Sequence, residues 1–187
     1  MNMANSWLSF FFAYMYKETK LHYGDYMATT ILTVTMEFVT GNMLEGVFPN
    51  GFPNAKALGF PRWLRRKNRN SECFMAFLYP KVLFPHELSL QERVLPATNG
   101  MVDWVDCMNG ILSFYKESVV GDEVNTHFTN EAKVRGVGIE VVLEGWCGKV
   151  VDAWVASMDQ LGDGLEGGMF AAFVHGVFHV PHLVPAL

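Results

Sequence analysis

Asn109, Ser113 and Glu117, within the run NGILSFYKE, stand four residues apart twice over. On an α-helix each four-residue step turns the side chain by about 40°, so the three oxygen-bearing groups form one stripe. That stripe is roughly 12 Å long at about 1.5 Å per residue, too long for three short side chains to meet at one ion. Glutamate is the long one, and helical side chains lean toward the N-terminus, so Glu117 reaches back toward Ser113 and Asn109. An amide oxygen, a hydroxyl and a carboxylate make a hard, oxygen-only donor set with one negative charge. Such a set suits Mg²⁺, which keeps several waters and shares itself with substrate phosphates. Lys116 adds a positive charge beside the stripe for a phosphate. The same residues at the same spacing also describe an ordinary solvated helix face.

Three other groupings could carry chemistry. Arg62, Arg65 and Arg66 open the basic stretch FPRWLRRKNRN, with Lys67 and Arg69 behind them. A guanidinium holds phosphate oxygens bidentately, and a helix N-terminus adds its own attraction for an anion. A basic surface patch is the plainer reading. His175, His179 and His182 place a pair at i and i+4, a spacing that can hold zinc. No Glu follows His175 as in the HExxH pattern, and Pro181 interrupts before the third histidine, so hydrogen-bonded or exposed histidines are expected. Asp103 and Asp106, one turn upstream of Asn109, are expected on a solvated face.

These groups need a scaffold, and composition supplies one. The 187 residues are 50% apolar and 14% aromatic, with 18% charged and a net charge of −5. This is a single globular domain over residues 1–187 with much to bury. It lacks the basic field of a nucleic-acid binder. Cys73, Cys107 and Cys147 are odd in number, far apart and in no CxxC pair, as in a reduced, cytoplasmic protein. The apolar run Trp7 to Tyr16 has no signal-peptide flanks and is too short to span a bilayer.

Taken in order, a helix apolar nearly all round is expected over about Asn5 to Lys20, which places it in the core. Asp25 would cap a long segment running to Gly46. Within it, Ala28 to Thr35 reads as a strand on β-branched propensity alone. Val47 to Gly59 is a loop, and Pro61 starts a helix reaching about Leu78. After a break at Tyr79 to Pro85, Ser89 and Glu92 have capping-box spacing, but Pro96 would strain a helix begun there. The main helix is therefore expected over about Ala97 to Val119. A turn at Gly121 and Asp122, a helix from about His127 to Gln160, a flexible connector at Leu161 to Gly168 and a short helix Met169 to Val180 complete an all-α bundle.

Five stretches carry a family likeness. HYGDYMATTILTVTMEFVTGNMLEG (His22 to Gly46), the GFP turn (Gly51 to Pro53), FPRWLRRKNRN (Phe60 to Asn70), FLYPK (Phe77 to Lys81) and the Asn109 motif resemble, in order and spacing, the fungal trichodiene synthase family of class I terpene synthases. The resemblance covers about His22 to Glu117 and continues loosely toward His179. It implies a class I terpenoid synthase-like helical bundle, here incomplete, with a buried helix over Ala28 to Thr35. It also implies Mg²⁺-dependent ionisation and cyclisation of a prenyl diphosphate, with farnesyl diphosphate the expected substrate, and a homodimer as the expected assembly. Asn109, Ser113 and Glu117 would ligate one Mg²⁺; Arg65, matching a diphosphate-sensing arginine, and Lys116 would hold the diphosphate. Phe38, Phe74, Phe77 and Trp104 are the ring candidates for an apolar cavity, where each face stabilises a carbocation by roughly 0.5–2 kcal/mol. Plain core packing is the commoner role for such rings.

Three departures qualify the expectation. The chain has no DDxxD-like run, which in the family holds two further Mg²⁺. Gly110 stands where the family has Asp, and Pro181-His182 follow the histidine helix where the family has an Arg-Tyr pair. The expectation is thus an N-terminally truncated, C-terminal portion of the family fold. Its alternative reading is a non-catalytic remnant that binds prenyl diphosphate or a partner without turnover.

Overall fold

The computed structural model describes residues 3–48, 57, 59–68, 70–121 and 127–179; the side chains of residues 3–8, 61, 62, 65, 115, 119, 127 and 179 lie outside that description. Among the described residues every regular element is helical. In chain order these are α1 (Met3–His22), α2 (Asp25–Val47), α3 (Phe60–Asn68), α4 (Ser71–Phe77), α5 (Glu87–Phe114) with a π-helical turn Tyr115–Val120 on its end, α6 (His127–Arg135), α7 (Ile139–Leu161) and α8 (Leu165–His179). The all-α expectation holds. No helix among the described residues is long and apolar enough to cross a membrane.

Helix α5 is the hub. Leu90, Val94, Ala97, Met101, Val105 and Met108 are buried at steps of four, three, four, four and three residues, the pattern of one helix face turned to a core. They meet Met27, Ile31 and Val34 of α2, Met75 and Ala76 of α4, and Phe170 and Val174 of α8 in the main apolar cluster. A second cluster joins Cys107 to Phe128 and Ala132 of α6 and to Val142 and Trp146 of α7. Helix α7 packs most extensively on α5. Gly100 makes their approach close: a Cβ there would stand 2.5 Å from Ser157 Oγ.

Ala28 to Thr35 is helical, as the resemblance implied. Thr29 and Thr35 return their hydroxyl protons to the carbonyls of Asp25 and Ile31, which spares these side chains from competing for other partners. Several boundaries differ from expectation. Asp25 does not cap α2; the N-cap is Gly24, and the Glu87 carboxylate accepts the exposed N–H groups instead. Helix α5 starts ten residues before Ala97 and runs through Pro96. Proline removes one N–H, while Leu90 and Val94 before it and Ala97 and Met101 after it bury into the same core. The segment from Pro61 to Leu78 is two helices, broken where Asn70 takes a left-handed φ of 52°.

The segment from His127 to Gln160 is also two helices. Gly136 (φ 65°) ends α6, with the Val137 N–H bonded back to the Ala132 carbonyl. Gly162 (φ 67°) closes α7, and α8 begins at Leu165, so the Leu161 to Gly168 connector shortens to a tight turn. Helix α1 exists, but it is not a core helix: Phe10, Phe11 and Tyr14 are exposed, and among the described helices it packs chiefly on α2. Most of the Val47 to Gly59 loop, the GFP turn included, lies outside the described residues.

Candidate metal and diphosphate site

The Asn109 motif falls at the C-terminal end of the hub. Asn109 and Ser113 are on the last two turns of α5, and Lys116 and Glu117 are on the π-helical turn. Ser113 Oγ donates to Asn109 Oδ1 at 3.1 Å, so two of the three donor oxygens are adjacent. The plain α-helical stripe needs one correction. In a π turn the N–H bonds the carbonyl five residues back, as the Gly121 N–H does to Lys116 O at 2.9 Å. Glu117 therefore stands on a wider turn than the α-helical stripe assumed. Asn109 and Lys116 are exposed; Ser113 and Glu117 are half-buried. The chemistry open to this group is oxygen coordination with a cation alongside.

Helix α3, which carries the arginines, is fixed against its neighbours by charge and by a close contact. Arg66 Nη2 donates to Asp103 Oδ1 of α5 at 2.9 Å and to Asn99 Oδ1 at 3.3 Å. On the other side Lys67 Nζ donates to Glu37 Oε1 of α2 at 2.8 Å. Gly41 of α2 lies against Lys67 and Asn68, leaving no room for a Cβ. The backbone of Arg65 is therefore tied into the same framework as the motif helix, while its side chain lies outside the described residues.

Asp103 and Asp106 are not on a solvated face. Asp103 pairs with Arg66 and accepts from Asn99 Nδ2 at 3.3 Å. Asp106 is buried and takes the hydroxyl proton of buried Ser71 at the start of α4. Sequence spacing missed this because Ser71 lies 35 positions upstream. Both aspartates line a cleft of about 460 Å³ between α5, α6 and α7, with Glu131, Arg135, Trp146 and Lys149 opposite; its described lining includes none of Asn109, Ser113, Lys116 and Glu117.

The ring candidates divide. Phe38, Phe74 and Phe77 are exposed, whereas Trp104 is buried with its edge against Phe170 and Phe173. Trp104 is core, as most such rings are. His175 is exposed; the side chain of His179, and His182 altogether, lie outside the described residues. Among the described residues no group of three or more His, Cys, Asp and Glu is placed to hold a metal.

The described residues form a helical bundle with the Asn109 to Glu117 segment at the end of its central helix, and this all-α fold is consistent with a terpene synthase-like protein. The trichodiene synthase (TRI5) family model matches residues 3–183, and the chain belongs to that family. It is 30% identical over 161 residues to terpene synthase 29 of Postia placenta, a match spanning 85% of this chain and 46% of that relative. It is 31% identical over 113 residues to an (E)-beta farnesene synthase of Metarhizium brunneum, spanning 60% and 34%. Against the trichodiene synthase of Fusarium sporotrichioides it is 31% identical over 119 residues, spanning 57% and 31%. The chain thus spans less than half the length of these curated relatives.

Proposed function

We propose that the chain supplies the Asn/Ser/Glu side of a terpene synthase active site, one that ionises and cyclises a prenyl diphosphate, with farnesyl diphosphate as substrate and Mg²⁺ as cofactor. The observation that carries this is the Ser113 to Asn109 contact. Its 3.1 Å separation is close to the spacing of about 3 Å between neighbouring oxygens of an octahedral Mg²⁺ shell with bonds of roughly 2.1 Å. That spacing supports Asn109 and Ser113 as neighbouring ligands of the ion. Asn109, Ser113 and Glu117 would hold it, and Lys116 and Arg65 would hold diphosphate oxygens. A bound Mg²⁺ supplies charge neutralisation to the departing diphosphate.

The remaining work belongs to the chain's own residues. Lys116 is exposed on the same π-helical turn as Glu117, where its ammonium would meet an anion held by the ligand set. The Arg66–Asp103 pair supports the reading by holding the arginine helix against the motif helix, while Lys67–Glu37 holds it to α2, so that bound diphosphate would meet a pre-set frame. A cytoplasmic location accompanies this reading, since Cys73, Cys107 and Cys147 are odd in number and form no CxxC pair. Pairing of two copies, which the resemblance implies, is read by sedimentation.

Incubating the protein with farnesyl diphosphate and Mg²⁺ and analysing the headspace by mass spectrometry tests the activity. A hydrocarbon product supports it. The alternative, binding without turnover, is favoured by the match to less than half of each relative's length. It predicts Mg²⁺-dependent binding of inorganic diphosphate in calorimetry with no hydrocarbon released. The absence of both product and diphosphate binding overturns both readings.

A further inference from the structure

The motif helix does not finish as an α-helix. Over Tyr115–Val120 it widens into a π turn, and that turn carries both Lys116 and Glu117. Such turns are rare and recur at functional sites. Gly121 closes this one, donating its N–H to the Lys116 carbonyl at 2.9 Å. The backbone there has φ −87° and ψ −5°, a turn conformation that residues with side chains also adopt, so dihedral freedom does not call for a glycine. Space does. A Cβ at Gly121 would stand 3.0 Å from the carbonyl oxygens of both Lys116 and Glu117. These are backbone atoms, which cannot swing aside as the end of a side chain would.

We propose that Gly121 is a positioning residue for Glu117: its missing side chain lets the π turn close, and the closed turn sets where the carboxylate stands relative to Asn109 and Ser113. The inference rests on the reading of those three residues as Mg²⁺ ligands, and it adds the element that fixes the third of them. The first two lie on regular α-helix and already touch, Ser113 Oγ donating to Asn109 Oδ1 at 3.1 Å. Glu117 enters from a turn with more residues per revolution, so its direction from the helix axis depends on how that turn closes. Among the described residues its side chain makes no hydrogen bond or ion pair, which leaves the backbone of the turn to set where it starts. Mg²⁺ demands near-ideal octahedral geometry with bonds of about 2.0–2.1 Å. The displacement of a few tenths of an ångström that a Cβ at Gly121 would force is large on that scale.

The test is Mg²⁺-dependent binding of inorganic diphosphate, measured by calorimetry on the Gly121→Ala protein. Binding should weaken by about tenfold, as when a residue that orients a metal ligand is lost. Circular dichroism should match the wild type, because Gly121 is exposed at the helix end. Gly145→Ala, the same change in α7 where an added Cβ meets nothing within 4 Å, should bind as the wild type does. A double-mutant cycle with Glu117→Gln supplies the readout that a merely structural role would not move. Once the carboxylate is gone, Gly121→Ala should cost no further Mg²⁺-dependent binding. If the wild type shows no such binding, or Glu117→Gln leaves it unchanged, the ligand set fails and this inference with it. If Glu117→Gln weakens binding while Gly121→Ala does not, the ligand set stands and the positioning role is overturned. Equal losses from Gly121→Ala with and without the carboxylate, or a helical spectrum lost in that variant, make the glycine structural and overturn the role as well.

Discussion

The carboxylate of Glu87 accepts the backbone N–H of Tyr26 at 2.6 Å and that of Asp25 at 3.0 Å, from 61 and 62 positions along the chain. It does for α2 what Gly24, with no side chain, cannot. It also ties the first residue of α5 to the first turn of α2, so the cap doubles as a tertiary clamp. Loss of a cap costs about 1–2 kcal/mol. In a domain of this size Glu87→Ala should lower the melting temperature by about 2–8 °C. Glu87→Gln, which keeps an acceptor, should lose less. Scanning calorimetry decides, and a melting temperature unchanged in both variants would contradict the clamp.

Tyr79 gives the fold an alkaline limit. Burial pushes its phenol far above the usual value of about 10, with the Glu166 charge adding to the effect. The hydroxyl donates to Met101 Sδ at 3.5 Å and the Glu166 carbonyl at 3.4 Å. A group whose folded pKa is raised contributes stability that is fully present below its unfolded pKa and lost as pH climbs toward the folded value. Stability should therefore fall above about pH 10, by about 1 kcal/mol per pH unit from this residue. Tyr79→Phe should start less stable at neutral pH yet show a shallower loss between pH 10 and 11 in denaturant titrations. Equal slopes would refute the assignment.

Gly100 sits where alanine would ordinarily favour a helix interior by up to about 1 kcal/mol. Here the added Cβ would press on Ser157 Oγ at 2.5 Å, and Ser157 is itself held by donating to the Ala153 carbonyl at 2.7 Å. Overpacking of this kind costs about 1–3 kcal/mol. Gly100→Ala should thus destabilise, and adding Ser157→Ala should recover part of the loss in a double-mutant cycle of urea unfolding. Additive effects would mean that the two helices do not meet through this pair.

The three thiols should separate by reactivity. Cys147 is exposed on α7, while Cys73 and Cys107 are buried. Burial also pushes the Cys73 thiol up, which lowers its thiolate fraction at neutral pH. Native protein treated with iodoacetamide at pH 8 should take one label rapidly, on Cys147, and three only after denaturation. Mass spectrometry of the tryptic peptides reads this directly.

These particulars show which parts of the molecule were legible in the sequence. The helical class, the α2 segment against its β-branched propensity, and the motif on the central helix all follow from local pattern and family wording. The helix boundaries at Pro96, Asn70 and Gly136 did not, because each is settled by what lies on either side of a weak local signal. Pro96 is tolerated since the apolar face of α5 continues past it, whereas Asn70 breaks a stretch that looked continuous. The burial of Asp106 depends on Ser71, and the cap on α2 depends on Glu87, both distant in sequence. Helix α1 looked like a core helix because every side of it is apolar; apolarity states what a helix needs covered, not what this chain provides to cover it.

Glu117 contributes the one negative charge of the proposed ligand set, and on that account it is the residue whose loss should be most informative. Glu117→Gln keeps the length and an oxygen but removes the charge that favours a divalent ion. Among the described residues the Glu117 side chain makes no hydrogen bond or ion pair within the fold, so the melting temperature should hold within about 1 °C. Mg²⁺-dependent binding of inorganic diphosphate should weaken by about tenfold or more, and binding without Mg²⁺ should not change. Ser113→Ala, which removes a neutral donor bonded to Asn109, should weaken it less. Lys116→Met should weaken diphosphate binding with and without the metal, since its charge acts on the anion directly. Calorimetric titration of the three variants, each with and without Mg²⁺, separates ligand from anion contact; a Glu117→Gln protein that binds diphosphate and Mg²⁺ as the wild type does would remove the motif from the site.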